Sequence, residues 1–335
     1  MKLNKVFAVV LCLALLLASA GPRPAAAEGN RIRVVTTIFP VYDWVRQIAG
    51  GSDQVEVTML LDSGVDLHSY QPTAADIMRI AACDVFIYVG GESDEWVEDA
   101  LREAVNPNMI VINLLDCLGD DVKAEEIVEG MEHEHDHDHD EDHDHDEDHD
   151  HEHEHEEEAD EHVWLSLRSA QKLVNIIAGK LAEADPDHAE AYRAHADAYC
   201  AELSALDAQY VEVTEQAAFK TILFGDRFPF RYLADDYGLT CYAAFSGCSA
   251  ESEASFQTIV FLAQKVDELG LPAVLTIEGA HHRIAETVIQ TTANKNQKVL
   301  VLDSMQGTTA ADVQAGVSYL SIMQANLDIL REALN

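Results

Sequence analysis

Between Glu132 and Glu161 the chain reads EHEHDHDHDEDHDHDEDHDHEHEHEEEADE, one alanine among histidines and acids. No packed core can form from such a run, because it has almost no apolar surface to offset the entropy of ordering. Any fold must be built on either side of it, with the run looped out. Ten of the chain's sixteen histidines lie here: His133, His135, His137, His139, His143, His145, His149, His151, His153 and His155. Imidazole and carboxylate are common side-chain ligands for borderline divalent metals. Residues 132–161 are therefore expected to be a disordered loop that collects metal ions, several of them weakly. An insertion of this length without structure is normally functional or disordered, and here both descriptions fit.

The start of the chain has the form of an export signal. Lys2 and Lys5 precede an apolar stretch, and Ala25-Ala26-Ala27 offers an A-x-A cleavage site. Cys12 follows Leu11 where a small residue would be expected before a lipid-bearing cysteine, so it reads as part of the apolar stretch. Residues 1–27 are set aside as a signal peptide, which implies a chain exported to the periplasm or the outer cell surface. The formal charge of −40 argues against nucleic acid as a partner. Five cysteines remain: Cys83, Cys117, Cys200, Cys241 and Cys248. They lack zinc-ribbon spacing. Export permits disulfides, and Cys241 with Cys248 could close a short loop.

Strand-like and helix-like segments alternate on both sides of the run. Strands are expected at 32–37, 55–61, 84–89 and 109–114, with helices from Pro40, Thr73 and Ser93. The rhythm returns with strands at 219–224, 240–244, 273–277 and 298–302 and a last helix from about Thr309 to Leu334. Such alternation predicts an α/β fold with parallel sheets flanked by helices. The expected organisation is an N-terminal α/β lobe at 28–131, connecting helices at 162–217 and a C-terminal α/β lobe at 218–335. Asp185-Pro186 starts a long helix that would join the lobes as a rigid strut.

Ligands bind at the carboxyl ends of parallel strands. Four segments beyond such ends carry metal-competent groups: DSGVDLHSYQPT with Asp62, Asp66 and His68; DEHVWLS with His162; FGDRFPF with Asp226; and LDSMQG with Asp303. Glu278 follows another strand in TIEGAHH and is a reserve candidate. Two groups from each lobe would make a two-sided clamp on one ion.

The segments GVDLHSY (64–70), HVWLS (162–166) and LDS (302–304), with the internal histidine run and the strut helix, resemble the zinc and manganese solute-binding proteins of bacterial ABC transporters. The resemblance covers essentially the whole chain beyond the signal, and the histidine run is closest to the zinc branch. It implies a monomer that captures an ion in an interlobe cleft and delivers it to a membrane permease. Position by position, it assigns His68, His162 and Asp303 as metal ligands. Where the family has a third histidine or a glutamate, this chain has Gly225-Asp226-Arg227, and Asp226 is the substitute. Two imidazoles and two carboxylates suit tetrahedral Zn²⁺, while oxygen donors move preference toward Mn²⁺. The histidine run moves it back toward zinc. Two other classes remain in view. An enzyme is disfavoured because no HExxH, GxSxG or Ser-x-x-Lys pattern is present. A metal-buffering or adhesion protein with a degenerate cleft would depend on the loop alone.

Overall fold

Short apolar runs alternating with helical stretches give two sheets, each of four parallel strands. The computed structural model describes residues 31–125, 127–131, 158–249, 253–279 and 281–335. The expected export signal and all ten histidines from His133 to His155 lie outside the described residues. The first half contains β1 (Ile32–Thr36), α1 (Phe39–Ala49), β2 (Val55–Met59), α2 (Ala74–Ala82), β3 (Val85–Tyr88), α3 (Trp96–Arg102), β4 (Ile110–Asn113) and α4 (Leu114–Leu118). Helices α5 (Leu167–Ala184) and α6 (Ala189–Gln216) follow. The second half contains β5 (Thr221–Phe228), α7 (Arg231–Tyr237), β6 (Thr240–Ser246), α8 (Phe256–Leu269), β7 (Ala273–Thr276), α9 (Arg283–Thr291), β8 (Lys298–Val301), α10 (Ala310–Gln314) and α11 (Tyr319–Ala333).

The sheet orders are β2-β1-β3-β4 and β6-β5-β7-β8, one pattern used twice. The α/β class expected from the sequence is the class observed. Val85, Phe86 and Ile87 of β3 are fully buried, as a parallel strand covered on both faces requires. Helix α2 starts where its sequence says it should. Thr73 and Asp76 form a reciprocal capping box. Two boundaries differ from expectation. Ser93 lies in a short 3-10 turn (Glu92–Asp94), and α3 begins after it. The single C-terminal helix is in fact two, because Gly316 takes φ +97 and a capping box at Ser318 restarts the helix. A left-handed φ of this kind suits glycine and ends a helix.

Helix α6 has 28 residues, about 42 Å at 1.5 Å per residue. Its buried side chains are Tyr192, Ala196, Tyr199, Leu203, Leu206, Tyr210 and Thr214, spaced three or four apart as one stripe. That stripe packs on α5, α1 and α11. One hydrophobic core consequently runs from β1 through α5 and α6 to α11, and a smaller one lies under α8 and α9. Of the two histidines on or beside the strut, His188 bonds Asp185 at 2.6 Å. His195 is anchored as well, at 3.0 Å from the Ile48 carbonyl.

Strand β5 explains one further difference. It was expected to end at Phe224, but a register shift between Phe224 and Arg227 carries it on to Phe228. Gly225 is needed inside this irregularity, since a Cβ there would lie 2.4 Å from the Ala285 Cα of α9. Residues 225–227 are thus strand and bulge, not a free loop.

Candidate metal centre

The loop after β2 turns sharply because Asp66 caps a 3-10 turn (Leu67–Ser69), its carboxylate accepting from the His68 amide at 3.0 Å. Burial alone would raise the Asp66 carboxyl, but the Arg227 guanidinium and the His68 ring and amide together hold the group below the usual carboxylate range. Arg227 Nη2 donates to Asp66 Oδ2 at 2.6 Å, joining the two halves. The same guanidinium reaches the Ser249 carbonyl through Nη1 at 3.4 Å. One cation therefore ties the His68 turn to the chain just after β6.

His162 stands at the head of the 3-10 turn Val163–Leu165 and is fully buried. Its Nδ1 lies 2.9 Å from Asp160 Oδ1. A carboxylate only accepts, so Nδ1 carries the hydrogen and Nε2 presents a lone pair. That Nε2 lies 3.2 Å from His68 Nε2. His68 Nδ1 faces Ser93 Oγ at 2.7 Å and Glu161 Oε2 at 3.6 Å. Glu161 Oε2 is buried and has no hydrogen-bond partner. With the His68 hydrogen on Nε2, the rings bond each other. With it on Nδ1, facing Ser93 and Glu161, both Nε2 atoms are bare. Burial, and next the His162 ring, push His68 down to about 3, so it stays neutral and able to donate a lone pair near neutral pH.

The separation has a simple chemical meaning. Two nitrogens bound to one tetrahedral zinc at about 2.05 Å are roughly 3.3 Å apart. The two Nε2 atoms already stand at that spacing.

A third group joins them. Ligand atoms of His68, His162 and Cys248 all lie within 4.8 Å of one another. Cys248 sits in the turn after β6, and its amide donates to Glu125 Oε1 at 2.9 Å. Burial pushes its thiol well above the ordinary range, with Glu125 the next contribution. A cysteine bridge to Cys241 does not form; both thiols are free. The physical reason is β6 itself. It separates the two residues by about 20 Å of extended chain, whereas a disulfide needs Cα atoms about 4.4–6.8 Å apart.

The acids expected to complete the site are held by hydrogen bonds of their own. Asp226 Oδ2 accepts from Thr276 Oγ1 at 2.5 Å, and Oδ1 accepts from the Arg227 amide at 2.9 Å. Asp303 Oδ1 accepts from the Met305 amide at 2.7 Å, and burial, then Glu278, push its carboxyl up to about 6. Glu278 gathers the amides of Ser304, Gln306 and Gly307 at 2.6, 3.0 and 3.1 Å. Asp66, His68, Asp226, Arg227 and Glu278 do share one cleft, which has a volume of about 760 Å³. His281 and His282 line its rim. His282 Nδ1 is 3.3 Å from Thr276 Oγ1.

SGCS (246–249) carries no spacing that marks Cys248 as a metal-competent neighbour of the histidines. Its one sequence signal is position, beyond the carboxyl end of a parallel strand. In sequence Asp160 and Glu161 are simply the tail of the acidic run; in the fold they face His162 and His68.

Two parallel-sheet halves, linked by a long helix and holding a close histidine pair, one ring fully buried, define a metal-type solute-binding protein. The chain belongs to the family described as zinc-uptake complex component A, periplasmic (ZnuA), whose model matches residues 34–333. It is 31% identical over 336 residues to the high-affinity zinc uptake system protein ZnuA of Bacillus subtilis strain 168, covering 99% of this chain and 98% of that one. It is 32% identical over 322 residues to the zinc-binding lipoprotein AdcA of Streptococcus pneumoniae serotype 4, where it spans 59% of the relative's length. Among solved structures, the Zn(II)-bound ZnuA-like domain of Streptococcus pneumoniae AdcA matches with a TM-score of 0.68 at 28% identity, over 91% of this chain and 99% of that one. The metal-dependent lipoprotein YcdH of Bacillus subtilis matches with a TM-score of 0.70 at 27% identity, again over 91% and 99%.

Proposed function

We propose that this chain captures one Zn²⁺ outside the cytoplasm, between its two halves, and delivers it to the membrane permease of an ABC importer. The observation that carries this reading is the His68–His162 pair, with Nε2 atoms 3.2 Å apart and each far nitrogen facing protein oxygen. Membership of a zinc-uptake family supports it. So do relatives named as zinc-uptake and zinc-binding proteins. Among the described residues no helix is long and apolar enough to cross a membrane, which fits a carrier that depends on a separate permease.

The lobes at 28–131 and 218–335 are taken as the units that close on the ion, with 162–217 between them, and the carrier is taken to work as a monomer. An ion reaches His68 through the cleft. Binding moves the His68 hydrogen to Nδ1, where Ser93 Oγ or Glu161 Oε2 receives it, and frees both Nε2 lone pairs. Release follows if docking on the permease draws the His68 turn away from His162, since one imidazole alone holds zinc poorly. The histidine run, His133 to His155, supplies ions to the cleft.

The test is isothermal titration with Zn²⁺ on a chain lacking residues 132–157. The parent should bind one ion tightly, and the H68A/H162A variant should bind none. A tight site surviving in the double variant would refute the assignment. Loss of all binding on loop deletion alone would favour a buffering protein.

A further inference from the structure

Resting on that zinc-capture reading, we propose that Cys248 is the third protein ligand of the captured ion, bound as a thiolate, so that the site is N₂S and selects zinc over manganese. Three observations support it. Among the described residues, the only group of three or more metal-competent side chains with mutually close ligand atoms is His68, His162 and Cys248, all within 4.8 Å. A tetrahedral zinc with Zn–N of about 2.05 Å and Zn–S of about 2.3 Å needs N···S near 3.6 Å, so closure by roughly an ångström completes the geometry.

The turn that carries the sulfur is also built for its place. A Cβ on Gly247 would stand 3.0 Å from the Phe228 carbonyl oxygen and 3.1 Å from His162 Cε1. A side chain there would press on the His162 ring, so glycine lets the turn lie close against it. Arg227 then fixes both approaches at once, through Asp66 before His68 and through Ser249 after Cys248. An arginine in that role cannot ligate, and two acids of the cleft, Asp226 and Glu278, are already hydrogen-bonded. Asp226 is bonded to Thr276 and to the Arg227 amide, while Glu278 is bonded to the 304–307 segment. Among the described residues it is the Cys248 sulfur whose position meets both imidazoles.

On binding, the Cys248 S–H bond breaks, the proton leaves to solvent, and the sulfur lone pair goes to the ion. Thiolate favours zinc and copper(I), whereas manganese prefers oxygen donors. Among the described residues three protein donors meet, which leaves one tetrahedral position for water.

Cobalt(II) tests this directly on the full chain under reducing conditions. The histidine run contains no sulfur, so it adds nothing to a thiolate-to-cobalt charge-transfer band in the near ultraviolet. The native chain should show that band at one equivalent. C248S should lose it while a C200S control keeps it, and C248S should bind Zn²⁺ at least about 100-fold more weakly with a smaller zinc-over-manganese margin. A native chain that binds one Co²⁺ through His68 and His162, as judged by its loss in H68A/H162A, yet shows no thiolate band would overturn the cysteine assignment and leave the capture site standing. A chain whose cobalt binding ignores H68A/H162A would instead remove the reading beneath it.

Discussion

Gly247 occupies a point where even a methyl side chain would be tight. A Cβ there stands 3.0 Å from the Phe228 carbonyl oxygen and 3.1 Å from His162 Cε1, so G247A pushes the His162 ring or the turn by a few tenths of an ångström. We expect G247A to keep the fold and to weaken Zn²⁺ binding by at least about tenfold, comparable with loss of a group that orients a ligand; titration calorimetry reads this. Asp94 illustrates a different constraint. Its Oδ2 accepts from the Val89 and Gly90 amides at 2.9 and 3.0 Å, and Oδ1 is buried without a partner. Burial above all, then the Glu161 carboxylate, push the group up to about 7 from 3.8. Between those values the folded chain holds a proton that the unfolded chain releases, so this residue's contribution to stability falls as pH rises from about 4 to about 7. D94N keeps the acceptor and cannot ionise. Relative to the native chain it should gain on the order of 2–4 kcal/mol between pH 4 and pH 8, read from urea unfolding at both pH values. An equal difference at the two pH values would count against a raised Asp94.

At the scale of elements, the strut owes its place to packing more than to helix propensity. Leu203 is fully buried midway along α6, between Tyr199 and Leu206 on the stripe facing α1, α5 and α11. L203A should cost about 2–5 kcal/mol through lost burial and the cavity left behind. Calorimetric melting would show this as a lower Tm with unchanged zinc stoichiometry. Several elements were legible because local rules decide them. Thr73 and Asp76 announce α2, and the apolar run at Val85 announces a buried strand. Others were not, because distant contacts decide them. β5 continues past Phe224 because α9 packs on Gly225, and that bulge turns Asp226 toward Thr276 and Arg227 toward Asp66. No window of sequence around FGDRFPF contains α9 or β7.

For the whole molecule, binding and folding are linked. An ion held between segments from both halves stabilises only the folded chain, by about 2.7 kcal/mol at a free concentration one hundred times Kd. Zn²⁺ should therefore raise the Tm of the chain lacking 132–157, and should leave H68A/H162A unmoved in a thermal-shift measurement. R227A separates the two halves electrostatically. It removes the 2.6 Å contact to Asp66 and the 3.4 Å contact to Ser249 together, so it should weaken zinc binding more than D66N does, as titration calorimetry would read.

By itself the sequence determined the α/β class, the repeated parallel sheets and the two imidazoles, since patterning and residue chemistry are local properties. Only the tertiary structure decided which donors meet. His68, His162 and Cys248 lie 94 and 86 residues apart in succession, and their approach depends on sheet order, a strand bulge, one arginine and one glycine. The acids that pattern alone nominated, Asp226 and Asp303, found nearer partners in Thr276 and the Met305 amide. A carboxylate takes the hydrogen bonds that packing offers it, and that choice is made in three dimensions.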